Sequence, residues 1–175
     1  MLVRVFSVFA TLAGATLCGA AMAEDTGPIH YKYCVGVVLK LEPEAAAPNR
    51  YVITRRKGVD WVPYGKATFD EKRRLVSQEV TGHGTLSFAP HNCEKMAGIC
   101  TYTETGFDGE SVEKLRINGR EGDEWNYSIM KAETQELVTI GTVTYGADGL
   151  SDRERWTEID STRSGCFERV PAPEG

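Results

Sequence analysis

The chain has 175 residues, of which 41% are hydrophobic, 26% charged and 9% aromatic. That is the composition of a globular protein, and it excludes a disordered chain, a collagen and a coiled coil. With 25 acidic against 20 basic residues the net charge is −5, which argues against nucleic acid or an anionic membrane surface as a partner, because both attract basic surfaces.

The first 23 residues stand apart. One charge, Arg4, precedes an apolar run over residues 5–17, and Ala21-Met22-Ala23 supplies the small-x-small pattern that signal peptidase cuts. The run is too short to span a bilayer. Residues 1–23 are therefore read as a cleaved export signal, with cleavage after Ala23, and residues 24–175 as one disulfide-stabilised β domain. Losing Arg4 and no acid takes the net charge from −5 to −6. Cys18 invites lipidation, but Leu17 stands where a small residue is wanted. With no second apolar run, no transmembrane anchor is expected, and the location expected is periplasmic or secreted.

Residues 24–30 read as a polar lead-in. Residues 31–41 read as one strand, with Val35, Val37, Leu39 and Leu41 on one face. Residues 42–48, with Pro43, Pro48 and an alanine run, read as a loop, and residues 50–55 as a second strand carrying Tyr51 and Ile53. Residues 59–65, with Trp61, Pro63 and Tyr64, suit an irregular turn. A short helix is predicted near 69–80. Thr68 and Glu71 make an S/T-x-x-E capping box, Phe69, Val76 and Val80 share a side, and Gly82 can stop it. A strand over 74–80 is the competing reading, because Val76 and Val80 also fit period two.

From Gly84 onward the pattern is β. Leu86 and Phe88 alternate, residues 99–105 are rich in β-branched and aromatic types, and 106–109 turn the chain. Strands follow over 112–118, 124–131, 137–145, 150–160 and 166–170, separated by turns at 119–123, 146–149 and 161–165. Trp125, Tyr127 and Ile129 share one face. Short connections place consecutive strands side by side and antiparallel. The fold predicted is all-β: an antiparallel up-and-down barrel or strongly curled meander of about eight to ten strands, calycin-like in outline, with a two-sheet sandwich as the alternative.

Four cysteines survive cleavage: Cys34, Cys93, Cys100 and Cys166. An even set in an exported chain predicts two disulfides. Cys93 and Cys100 flank a short loop and are paired, which leaves Cys34 with Cys166. The second bridge would join the first strand to the last and favours closure. The spacing is neither C-x-x-C nor that of a zinc site.

Candidate ligand-binding residues are Trp125, Tyr127 and Trp156 on strands, and Trp61 and Tyr64 on the supposed loop. His83, His91, Cys93 and Met96 sketch a copper or zinc site, but Cys93 is expected in a disulfide, so no metal and no cofactor is predicted. Serine lies in no nucleophile frame, and no phosphate-binding loop is present. The acid-rich segments at Glu121, Asp123 and Glu124, and at Asp152 and Glu154, read as solvated turns, so no catalytic residue is assigned. The reading leans away from an enzyme. It favours an exported, non-enzymatic protein holding a small apolar or amphipathic ligand in a barrel. A protein-interaction or inhibitor module acting on another envelope protein through exposed loops is the alternative.

Overall fold

In the computed structural model residues 27–173 are described, and the expected export signal, residues 1–23, lies outside them. The described residues form twelve strands and no helix: β1 (Ile29–Tyr33), β2 (Val38–Glu44), β3 (Ala47–Lys57), β4 (Asp60–Phe69), β5 (Leu75–Val80), β6 (Gly84–Ala89), β7 (Gly98–Thr105), β8 (Ser111–Glu121), β9 (Glu124–Lys131), β10 (Leu137–Tyr145), β11 (Ser151–Glu158) and β12 (Ser164–Val170). Each pairs antiparallel with its sequence neighbours, and β1 closes on β12 to complete one barrel. Closure leaves no unpaired edge strand. The predicted barrel is therefore the fold, and the sandwich alternative is not.

Both predicted disulfides are present. Cys34 and Cys166 have Cα atoms 5.4 Å apart and join the end of β1 to β12. The Cys34 N–H also donates to the Cys166 carbonyl at 3.0 Å. Cys93 and Cys100 pair across the loop between β6 and β7.

The strand count exceeds eight to ten because one predicted strand is a hairpin, and a predicted turn and the predicted helix are strands. The strand predicted over 31–41 is broken between β1 and β2. Gly36 takes a left-handed φ of 82°, and Gly36 N–H to Tyr33 O and Tyr33 N–H to Val37 O close a tight turn, each at 2.8 Å. The loop predicted over 42–48 shrinks to two residues, as β2 runs to Glu44 and β3 starts at Ala47. The irregular turn predicted over 59–65 is strand β4. Pro63 and Tyr64 fall where the register slips between Ile53↔Gly65 and Thr54↔Pro63, a bulge that tolerates the missing proline N–H.

The helix predicted near 69–80 is absent, and the competing strand is what forms. Asp70 Oδ1 accepts the N–H groups of Lys72 and Arg74, both at 2.9 Å, and Arg73 turns left-handed at φ 58°. That aspartate-centred turn competes locally with helix. It brings Phe69 opposite Leu75, where both pack on the core.

Part of the interior is solid. Ile29, Tyr31, Leu39, Leu41, Tyr51, Ile53, Ala67 and Leu150 form a buried cluster, with Tyr64, Phe69, Leu75 and Phe167 packed against it. Each large apolar side chain there stabilises the fold by about 1.5–3 kcal/mol.

Candidate functional site

The remaining interior is hollow. Two adjoining cavities of about 230 and 340 Å³ share Leu75, Glu94, Glu154 and Phe167 in their walls. The smaller is mostly apolar, with Tyr33, Leu39, Leu41, Ile53 and Phe69 around it. The larger adds Tyr102, Lys114, Arg116, Tyr127 and Trp156.

Strand alternation explains who points in. On β11, Glu154, Trp156 and Glu158 share a face, and on β9 Tyr127 and Ile129 do. On β8 the inward positions are Lys114, Arg116 and Asn118, so its charged residues face in while Leu115 and Ile117 take the opposite face. The loop after β6 adds Glu94.

These groups form a network. The Tyr127 hydroxyl donates to Glu154 Oε1 at 2.7 Å. The Arg116 guanidinium lies over the Tyr127 ring at 4.2 Å, and its Nε donates to Asn118 Oδ1 at 2.9 Å. Asn118 in turn donates through Nδ2 to the carbonyls of Cys93 and Met96, at 3.0 and 2.9 Å. Removal from bulk water pushes the Glu154 carboxyl up to about 7 and raises Glu94 as well, against the pull of Arg116 and Lys95. Burial also raises the Tyr33 phenol, to about 12. The chamber thus sets two carboxyls whose proton affinity burial raises, Glu94 and Glu154, beside the Arg116 guanidinium and buried phenols, with Lys114, Glu104 and Glu158 also in the larger wall and Arg73 in the smaller.

Of the five predicted ligand residues, the structure brings Tyr127 and Trp156 together on the cavity wall. Trp125 sits nearer the rim, stacked by Arg120 at 5.5 Å. Trp61 lies against the His30 ring, centroids 5.6 Å apart, with Lys40 Nζ 5.0 Å above it. Tyr64 packs on the core cluster. Trp61 and Tyr64 therefore form no shared loop surface. Glu154, read from sequence as a solvated turn acid, faces the cavity instead. The signal was its two-residue spacing from Trp156, which places both on one face. Glu94, Arg116 and Asn118 were missed because a loop acid and inward-facing charges on a strand run against ordinary patterning.

A wider hollow of about 640 Å³ lies along β10, β11 and β12, with Ile140, Thr142, Arg155 and Ser164 around it. Arg155 is its one charged group and is exposed to solvent. The interior, where charged groups are held away from water, is the better-built site.

No family model and no curated protein matches the sequence. Among solved structures, the fold is similar to that of the hypothetical lipoprotein YmcC from Escherichia coli K12. The TM-score is 0.50 and the identity 10%, over 84% of this chain and 85% of that one. The likeness establishes a shared fold. Among the described residues no helix is long and apolar enough to cross a membrane.

Proposed function

We propose that this protein is an exported, non-enzymatic β-barrel of the bacterial cell envelope that holds a small amphipathic molecule in its interior. The observation that carries this reading is the two-part cavity: an apolar wall at Leu39, Leu41 and Ile53, continuous with a polar wall at Glu94, Arg116, Tyr127 and Glu154. The first suits an apolar body and the second a hydrogen-bonding head group. Trp156 and Tyr127 join these as contact residues. The two disulfides and the opening sequence pattern support export, since such bonds persist in oxidising compartments. The interaction-loop alternative has less support, because Trp61 and Tyr64 lie on strand β4, Trp61 against His30 and Tyr64, partly buried, packed on the core cluster.

The test uses intrinsic fluorescence. The chain has three tryptophans, so W61F/W125F leaves Trp156 as sole reporter. Titration with decylamine, decanoate and decanol should give saturable quenching for at least one head group. Arg116→Met or Glu154→Gln should weaken that binding by about tenfold, about 1.4 kcal/mol. No saturable response from any of the three would overturn the reading.

A further inference from the structure

The loop between β6 and β7 gathers a second, separate set of donors. His91 Nε2 lies 3.6 Å from Cys100 Sγ, and Met96 Sδ lies 3.9 Å from the same sulfur. The ligating atoms of His91, Cys93 and Cys100 all fall within 4.8 Å of one another. Around a small tetrahedral ion with bonds of about 2.3 Å to sulfur and 2.0–2.1 Å to nitrogen, ligand edges come to about 3.6 Å for N···S and 3.8 Å for S···S. His91 and Met96 already stand at those separations from Cys100 Sγ, while the Cys93 and Cys100 sulfurs, 2.03 Å apart in the disulfide, must part by about 1.8 Å once reduced.

In the disulfide the two sulfurs carry no thiolate charge. We propose that reduction of Cys93–Cys100 turns this loop into a copper(I) site, with the two thiolates, His91 Nε2 and Met96 Sδ as ligands. A dithiol reductant gives two electrons and two protons to the sulfur–sulfur bond and becomes a disulfide itself. The Cys93 and Cys100 thiols then release those two protons to solvent as the ion binds, and copper keeps its oxidation state. Thiolate and thioether donors select copper(I) by softness. Two thiolates on a monovalent ion leave one negative charge, and the Arg74 guanidinium stands beside the site, Nη1 3.5 Å from Met96 Sδ.

Contacts other than the disulfide also hold the loop. The buried Asn118 side chain holds the Cys93 and Met96 carbonyls. Asn92 Oδ1 accepts the Glu94 N–H at 3.1 Å, and Lys95 Nζ donates to the carbonyls of Lys72 and Arg73, at 3.0 and 3.1 Å. Cys100 is fixed on β7 opposite Arg116 of β8. Cys93 is fully buried, whereas Met96 is exposed and Cys100 partly so. Reductant and metal therefore reach the site from the Cys100 and Met96 side.

The protein is reduced anaerobically and titrated with copper(I) against bicinchoninate, with the oxidised protein alongside and far-UV circular dichroism recorded on both. One copper per reduced chain is expected, and none per oxidised chain. Met96→Leu and His91→Ala should each weaken retention at least tenfold, and C34S/C166S should retain it. The proposal is overturned if oxidised protein binds equally, if C93S/C100S keeps its copper, or if both Met96→Leu and His91→Ala bind as the parent does. It is also overturned if reduction unfolds the barrel before copper is bound.

Discussion

Tyr127 of β9 reaches across an entire strand to Glu154 of β11, hydroxyl to Oε1 at 2.7 Å. The strand between them, β10, permits this because it presents Gly141 opposite Tyr127. A Cβ on Gly141 would fall 2.5 Å from both Cζ and Oη of Tyr127, and 2.6 Å from the Arg155 carbonyl. The same device recurs next door, where Gly165 lies opposite Trp156 and a Cβ would come within 2.2 Å of its ring. Glycines thus let two large aromatics lie along the inner wall, as aromatic side chains cover glycines in other sheets. The hydrogen bond anchors Tyr127 beside the Arg116 guanidinium, so the geometry of the polar chamber traces back to one missing side chain.

Gly141→Ala should therefore destabilise the barrel by about 1–3 kcal/mol, the usual cost of overpacking. In a domain of this size that lowers Tm by roughly 3–10 °C. Gly119→Ala is the control, because a Cβ there meets nothing within 4 Å. Equal melting temperatures for the two variants would contradict the account.

The raised Glu154 carboxyl sets a pH dependence with a definite sign. Its folded value of about 7 lies above the ordinary 4.5, so the folded state holds the proton more tightly. The stability this gives is fully present below pH 4.5 and lost as pH rises to about 7, by at most about 3 kcal/mol. Glu94 acts in the same direction. Burial opposes Asp70 and Asp148, yet hydrogen bonds from Arg74 and Arg169 hold them below the usual range, so they act only at more acid pH. Urea unfolding at pH 5, 6, 7 and 8 should show the parent losing stability relative to Glu154→Gln across the series, a comparison that cancels His30 and His91, which burial lowers and which act in the opposite direction. Glu154→Gln should flatten the curve and stabilise the protein at pH 8. A gap between parent and Glu154→Gln that stays constant from pH 5 to 7 would refute the assignment.

The sequence carried the barrel further than the site. Alternation at Trp125, Tyr127 and Ile129, turn glycines such as Gly109 and Gly149, and the cysteine spacing were enough for an antiparallel barrel closed by Cys34–Cys166. Two elements were misread because local chemistry outweighed pattern. Asp70 uses its carboxylate to build a turn where the capping box promised a helix, and Gly36 breaks what alternation reads as one strand. The chamber was hidden for a different reason. On β8 the apolar Leu115 and Ile117 face away from the interior while Arg116 and Asn118 are buried, and Ile99, opposite Ile117, is 70% exposed. A rule that sends apolar residues inward assigns that strand the wrong face.

Asn118 joins the chamber to the disulfide loop, since it accepts from Arg116 and donates to two loop carbonyls. Asn118→Leu keeps the volume and strands those partners. Leaving buried groups unpaired costs about 1–3 kcal/mol each, so a loss of about 2–4 kcal/mol is expected in chemical denaturation. Backbone amides over residues 92–98 should also exchange faster with solvent. Unchanged exchange there would show that the loop is held by other contacts.

The two disulfides should differ in what their removal costs. The bridge between Cys34 and Cys166 spans 132 residues and that between Cys93 and Cys100 spans 7. In the chain-entropy model the long loop is worth about 5 kcal/mol and the short one about 2.5 kcal/mol, because each restricts the unfolded chain according to its length. The folded barrel has independent means of closure, since β1 and β12 pair from His30↔Val170 to Tyr33↔Phe167. C34S/C166S should therefore keep the parent's circular dichroism spectrum in the absence of denaturant, yet unfold at a urea midpoint well below that of C93S/C100S. A C34S/C166S protein with altered β content would mean that the bridge, and not the β1–β12 ladder, closes the barrel.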